Sequence, residues 1–151
     1  MAKRVFLFLI LNFTALYIGS FATKTAVVSN WYVNLNKAPW SPPGYVFGAA
    51  WSFIMICFAF YMAYLIPKVT SKKVITLFGL QWVLNVGWNP IFFYYHQTSL
   101  GLVVIICLTL VIGWFLFKFS NLLKFKTFLV VPYLIWLLIA TSLNAYVVFM
   151  N

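Results

Sequence analysis

The chain has no aspartate, no glutamate, one histidine and two cysteines among its 151 residues. Each shortage closes off a chemistry. Without carboxylate side chains there is no acid–base pair and no carboxylate cage for Ca²⁺ or Mg²⁺. An intramembrane carboxylate relay is absent too, which argues against a proton-coupled pump or a small multidrug exchanger. His96 alone cannot form a His/Cys cluster, so no metal site is expected. Cys57 and Cys107 fall within apolar runs and read as small core residues, not as a disulfide pair. Charged residues make up only 7%, where soluble domains carry roughly a quarter.

What is present is apolar and aromatic: 66% hydrophobic residues, 22% aromatic, and a mean hydropathy of +1.04. That leaves too little polar surface for a water-soluble globule of this size. The chain reads as an all-α integral membrane protein, one domain over 1–151. Its ten Lys and Arg residues are scattered singly and in pairs between apolar runs, as headgroup-facing loops require. Nucleic-acid binding is not expected.

Five apolar runs, at 5–23, 44–66, 74–95, 100–117 and 127–149, are each long enough to cross a ~30 Å hydrocarbon core. The spacing predicts a five-transmembrane-helix bundle with short connections at 67–73, 96–99 and 118–126. Lys3-Arg4 before an apolar run, with the small-x-small triplet at Ser20-Phe21-Ala22, also has the outline of a signal peptide. A retained first helix is the reading preferred, because the run is longer than a usual signal core. No internal repeat is visible, against an inverted-repeat transporter. Eight of the ten basic residues fall on the side of the N-terminus, and only Lys24 and Lys37 on the other. The positive-inside rule then places the N-terminus in the cytoplasm and the C-terminus outside. With no organelle signal, the plasma membrane is expected rather than a mitochondrial one.

Polar and aromatic side chains converge in the outer half of this bundle. Gln81, Asn85 and Asn89 repeat at i, i+4 and i+8, on one face of the third span. The fifth span carries Trp136, Ala140 and Asn144 at the same spacing, and the second carries Trp51. At 1.5 Å per residue, Asn85 sits roughly 16 Å and Asn89 roughly 22 Å from the inner end, and Trp51 about 10 Å below the outer end. Above them, the 24–43 connection holds Trp31, Tyr32, Trp40 and three prolines at Pro39, Pro42 and Pro43. Proline lowers the entropy of ordering and the aromatics need an apolar seat, so this loop reads as a structured lid.

Simpler explanations exist for each feature alone. Interfacial Trp and Tyr anchor bilayers, amide stripes glue helices together, and Pro90 and Pro132 kink them. Gly44-x-x-x-Gly48 matches a helix-dimer pattern. The coincidence of lid, aromatics and amides at one depth favours a cavity for a flat, apolar ligand.

Trp31-Tyr32-x-x-Leu35-x-Lys37-x-Pro39-Trp40-x-Pro42-Pro43, followed by Trp51, resembles the hallmark of the TspO/MBR family, the tryptophan-rich sensory and translocator proteins. Leu84-Asn85-x-x-Trp88-x-Pro90 and Pro132-Tyr133-Leu134-x-Trp136, with Ala140, Leu143 and Asn144, resemble its third- and fifth-helix motifs. The resemblance implies a membrane receptor, often a homodimer, that binds porphyrins, isoquinoline-carboxamide drugs and, in animal members, cholesterol. Some bacterial members are credited with light- and oxygen-dependent breakdown of protoporphyrin IX. Carried over, Tyr32, Trp40, Pro42, Pro43, Trp51, Asn85, Trp88, Cys107, Trp136, Ala140, Leu143 and Asn144 would form the binding site. Trp51 and Trp136 would be the pair tied to the porphyrin reaction. Porphyrin would enter as ligand or substrate, with no cofactor. A non-catalytic tetrapyrrole or lipid sensor or carrier is the alternative.

Two departures stand out. The sterol pattern needs a basic residue after a tyrosine late in the fifth helix, and Tyr146 is followed only by Val147, Val148, Phe149, Met150 and Asn151. Cholesterol is therefore not the expected ligand. Many relatives also carry an acid in helix four where this chain has Val104.

Overall fold

The computed structural model describes residues 1–69 and 71–151. It contains six α-helices: α1 (Ala2–Ala26), α2 (Asn30–Asn34), α3 (Gly44–Leu65), α4 (Lys72–Asn89), α5 (Thr98–Leu123) and α6 (Val131–Met150). A π-helical turn, Pro90–Tyr94, extends α4, and a 3₁₀ stretch, Lys124–Leu129, joins α5 to α6. No strand occurs among the described residues.

The additional helix, α2, is short and lies inside the connection read as a lid. Among the described residues, four segments are long and apolar enough to cross a membrane: α1, α3, Thr98–Leu129 and α6. α4 falls short of that measure because its 18 residues include two lysines in the first turn and the amides Gln81, Asn85 and Asn89. Boundaries also moved. α5 runs to Leu123 and absorbs two thirds of the connection expected at 118–126, while the connection expected at 67–73 includes Thr70, outside the described residues.

Local chemistry sets several ends. Ser29 and Ser71 cap α2 and α4 by accepting the backbone N–H of Tyr32 (3.3 Å) and Lys73 (3.2 Å). Pro90 falls where α4 turns into the π turn, which closes with Tyr95 N–H donating to Pro90 C=O at 2.9 Å. Pro132 lies in the first turn of α6, where the missing N–H costs no helical bond, so it starts the helix and does not kink it.

The five long helices close a ring in the order α1, α3, α6, α5, α4. At the lysine-rich end the ring is solid. Phe58, Tyr61, Met62, Phe115, Tyr133 and Leu137 are fully buried there. The two phenols are satisfied, Tyr61 donating to Phe115 C=O at 2.6 Å and Tyr133 to Gln81 Oε1 at 3.1 Å. Toward the lid end the inward residues include the small Ala15, Gly19 and Ala140, which leave space between the larger side chains. The bundle is hollow there.

Candidate functional site

The hollow is a cavity of about 430 Å³ between α1, α3, α4, α5 and α6. Tyr32, Phe47, Trp51, Trp88, Phe93 and Trp136 supply its aromatic wall, and Asn85, Asn89, Thr23 and Ser52 its polar groups. A narrower chamber of about 70 Å³ adjoins it, sharing Tyr32, Phe47, Trp88, Phe93 and Ala140 and adding Lys37, Leu143 and Asn144.

The two tryptophans singled out in the sequence both line the main cavity, and each is held edge-on by another ring. Trp51 meets Tyr133 at 5.8 Å between centroids, and Trp136 meets Phe47 at 5.4 Å. Trp136 is only 7% exposed, and its indole N–H is buried with no hydrogen-bond partner among the described residues. A buried unpaired donor costs about 1–3 kcal/mol.

The amides on this face do different work. Gln81 is occupied by Tyr133. Asn89 accepts the Thr23 hydroxyl at 3.0 Å and donates to Asn85 C=O at 3.0 Å. Asn144 accepts the Trp88 indole N–H at 3.0 Å and donates to Thr98 C=O at 2.9 Å. These three bind helix to helix or fix a neighbour. Asn85 is buried, lines the cavity, and its side chain makes no hydrogen bond among the described residues.

The lid is pinned at three places. Trp31 stacks on His96 at 3.9 Å and meets Phe92 edge-on, with His96 held at a positive φ of 55°. Trp40 donates its indole N–H to Ser142 Oγ at 3.2 Å and packs against Tyr146. Asn36 and Asn151 clasp each other, Asn36 N–H donating to Asn151 Oδ1 at 2.8 Å and Asn151 Nδ2 to Asn36 C=O at 3.2 Å. Tyr32 is the lid residue that reaches the main cavity, with Lys37 Nζ 4.7 Å above its ring. Burial raises the Tyr32 pKa above its ordinary value, so the phenol stays protonated.

Of the other expected site residues, Trp40, Pro42 and Pro43 are not among those lining either chamber; Trp40 anchors the lid from outside. Cys107 is exposed on α5, not a core residue, and Ile105 walls the cavity instead. Two residues along a helix rotate a side chain by roughly 200°, which carries Cys107 to the outer face. Gly44 and Gly48 line the cavity. Gly19, Ser20, Thr23, Ser52 and Phe93 also line it and lie outside the set expected from the sequence.

Residues 7–150 match the TspO/MBR family. The chain belongs to that family. It is 34% identical to the tryptophan-rich sensory protein of Cereibacter sphaeroides over 83% of this chain and 81% of that one. It is 30% identical to the tryptophan-rich protein TspO of Chlorobaculum tepidum, over 86% and 85%. The human translocator protein is 33% identical over 76% of this chain and 70% of its own length. Like its family, the chain is a helical membrane protein, and Trp51, Trp88 and Trp136 of its hallmark motifs stand around one cavity.

Proposed function

We propose that this TspO/MBR protein binds a metal-free porphyrin, protoporphyrin IX, in the aromatic cavity and promotes its light- and oxygen-dependent degradation. The observation that carries the reading is the wall itself: six aromatic rings around about 430 Å³, with the Asn85 amide left for a polar edge. The volume falls in the range of drug-sized sites. Flat isoquinoline-carboxamide compounds would fit the same stacking surfaces. Lys37, at the narrower chamber, is placed to meet a carboxylate arm. The lining contains no His, Cys or Met to ligate a haem iron, and Tyr32 stays neutral, so a metal-free ring suits the donor set better.

In this reading α4 with its π turn is the fifth span, because it closes the ring between α1 and α5. The eight-to-two division of basic residues favours a cytoplasmic N-terminus in the plasma membrane. A homodimer is the assembly expected from the family. The reactivity belongs to the ligand: the bound ring absorbs light and sensitises oxygen, while Trp51 and Trp136 hold it and intercept the reactive species. Titration of protoporphyrin IX in the dark followed by illumination in air tests this. Trp51→Phe and Trp136→Phe should keep binding and slow the loss of porphyrin absorbance several-fold. Equal rates in wild type, both variants and protein-free detergent would leave a non-catalytic sensor or carrier.

A further inference from the structure

α5 and α6 form the most extensive helix pair in the bundle, yet their outward faces part into an apolar groove of about 700 Å³. Leu110, Gly113, Phe117, Leu134 and Leu138 line it, and Phe117 is 76% exposed. Thr109, Trp114 and Lys118 complete the lining. From the first turn of α4, Lys73 brings its Nζ to 5.3 Å from the Trp114 ring centroid. One ammonium group therefore lies over the indole and a second, Lys118, borders the same open apolar channel. The Trp114 N–H has no partner among the described residues.

The counter-charge cannot come from a side chain of this protein, which has no Asp or Glu. A second copy seated here would set the same lysines against each other in a low-dielectric seam with no acid to offset them. A ligand that is apolar along one part and anionic at its end satisfies both features. We propose that the α5/α6 groove is a binding site for an anionic phospholipid, one acyl chain lying along Leu110 and Phe117 and the phosphate held by Lys118 and Lys73 beside Trp114. The site is separate from the aromatic cavity and does not depend on what that cavity binds. Basic pockets between helices near the membrane surface recognise such headgroups by charge, and an indole at that level anchors the interface.

The test uses the full-length protein in nanodiscs doped with acyl-brominated phosphatidylglycerol or phosphatidylcholine of identical chains. The Trp114 share of fluorescence is obtained by difference from Trp114→Phe. Quenching of that share should be at least twofold greater with phosphatidylglycerol. Lys73→Gln/Lys118→Gln should remove the preference, and Lys73→Arg/Lys118→Arg should retain it, both at unchanged melting temperature. Equal quenching by the two lipids, or a preference that survives the double glutamine variant, would overturn the proposal. So would shielding of Trp114 from both lipids together with a fall in particle mass on Gly113→Trp, which would give the face to a second copy.

Discussion

Asn89 lies across the bare Cα of Gly19, so closely that a Cβ built there would stand 2.6 Å from Asn89 Nδ2 and 3.1 Å from its Cγ. The amide is not free to swing aside, because it accepts the Thr23 hydroxyl and donates to Asn85 C=O. Gly19→Ala is therefore expected to break one or both bonds or to spread α1 from α4, at a cost of about 1–3 kcal/mol. A thermal melt followed by near-ultraviolet circular dichroism in detergent checks this. An unchanged midpoint would mean that Asn89 rearranges without penalty.

Asn85 and Asn144 should respond oppositely to mutation. Asn144→Ala strands the Trp88 N–H and removes a second bond to the Thr98 carbonyl, so it should cost about 1–3 kcal/mol of stability. Asn85→Leu breaks no side-chain bond and should leave the melting temperature unchanged or raised. Porphyrin affinity should fall about 3- to 10-fold in the Asn85 variant, the worth of one hydrogen bond. Stability curves and dark titrations of the two proteins separate the roles.

The Asn36–Asn151 clasp ties the lid to the end of α6. Asn151→Ala removes the acceptor for Asn36 N–H and the donor to Asn36 C=O. Loosening this attachment should raise the porphyrin dissociation rate about 5- to 10-fold, the value of roughly one hydrogen bond, while association changes less. Stopped-flow displacement with excess apomyoglobin reads the rate directly.

The response to pH should be one-sided. Acidification from pH 7 to 4 protonates no side-chain carboxylate, so the melting temperature should hold within about 2 °C. In base the Tyr32 phenol matters. Its pKa is raised by burial, so the folded state keeps the proton more tightly than the unfolded chain. That contribution is complete below the ordinary value of 10.0 and is lost as pH rises through the higher folded value. Tyr32→Phe should lose stability less steeply than wild type above pH 10, measured by denaturant unfolding across that range.

The long helices were legible because an apolar run near 20 residues has little else to do. α4 was the hardest case: its amide face makes it a poor membrane span by composition and a good cavity wall by position. The spacing of Gln81, Asn85 and Asn89 showed that they share a face. Which amide stays free depends on partners 52 and 66 residues away, Tyr133 and Thr23, and local pattern cannot supply those. Cys107 and Ile105 show the same limit, since family alignment assigns a helix to the cavity more securely than it assigns a rotation. Gly44 and Gly48 fit a dimer pattern on paper, yet they line the cavity.

The most direct test of the cavity as a porphyrin site is to fill it. Ala140 lines both chambers, so Ala140→Phe places a ring where the ligand would stack. Quenching of tryptophan fluorescence by protoporphyrin IX in the dark, with the melting temperature as a folding control, is the measurement. Saturable one-to-one binding in wild type and at least tenfold weaker binding in a folded Ala140→Phe protein are expected. Equal affinity in the two would place the porphyrin elsewhere on the molecule and contradict the site.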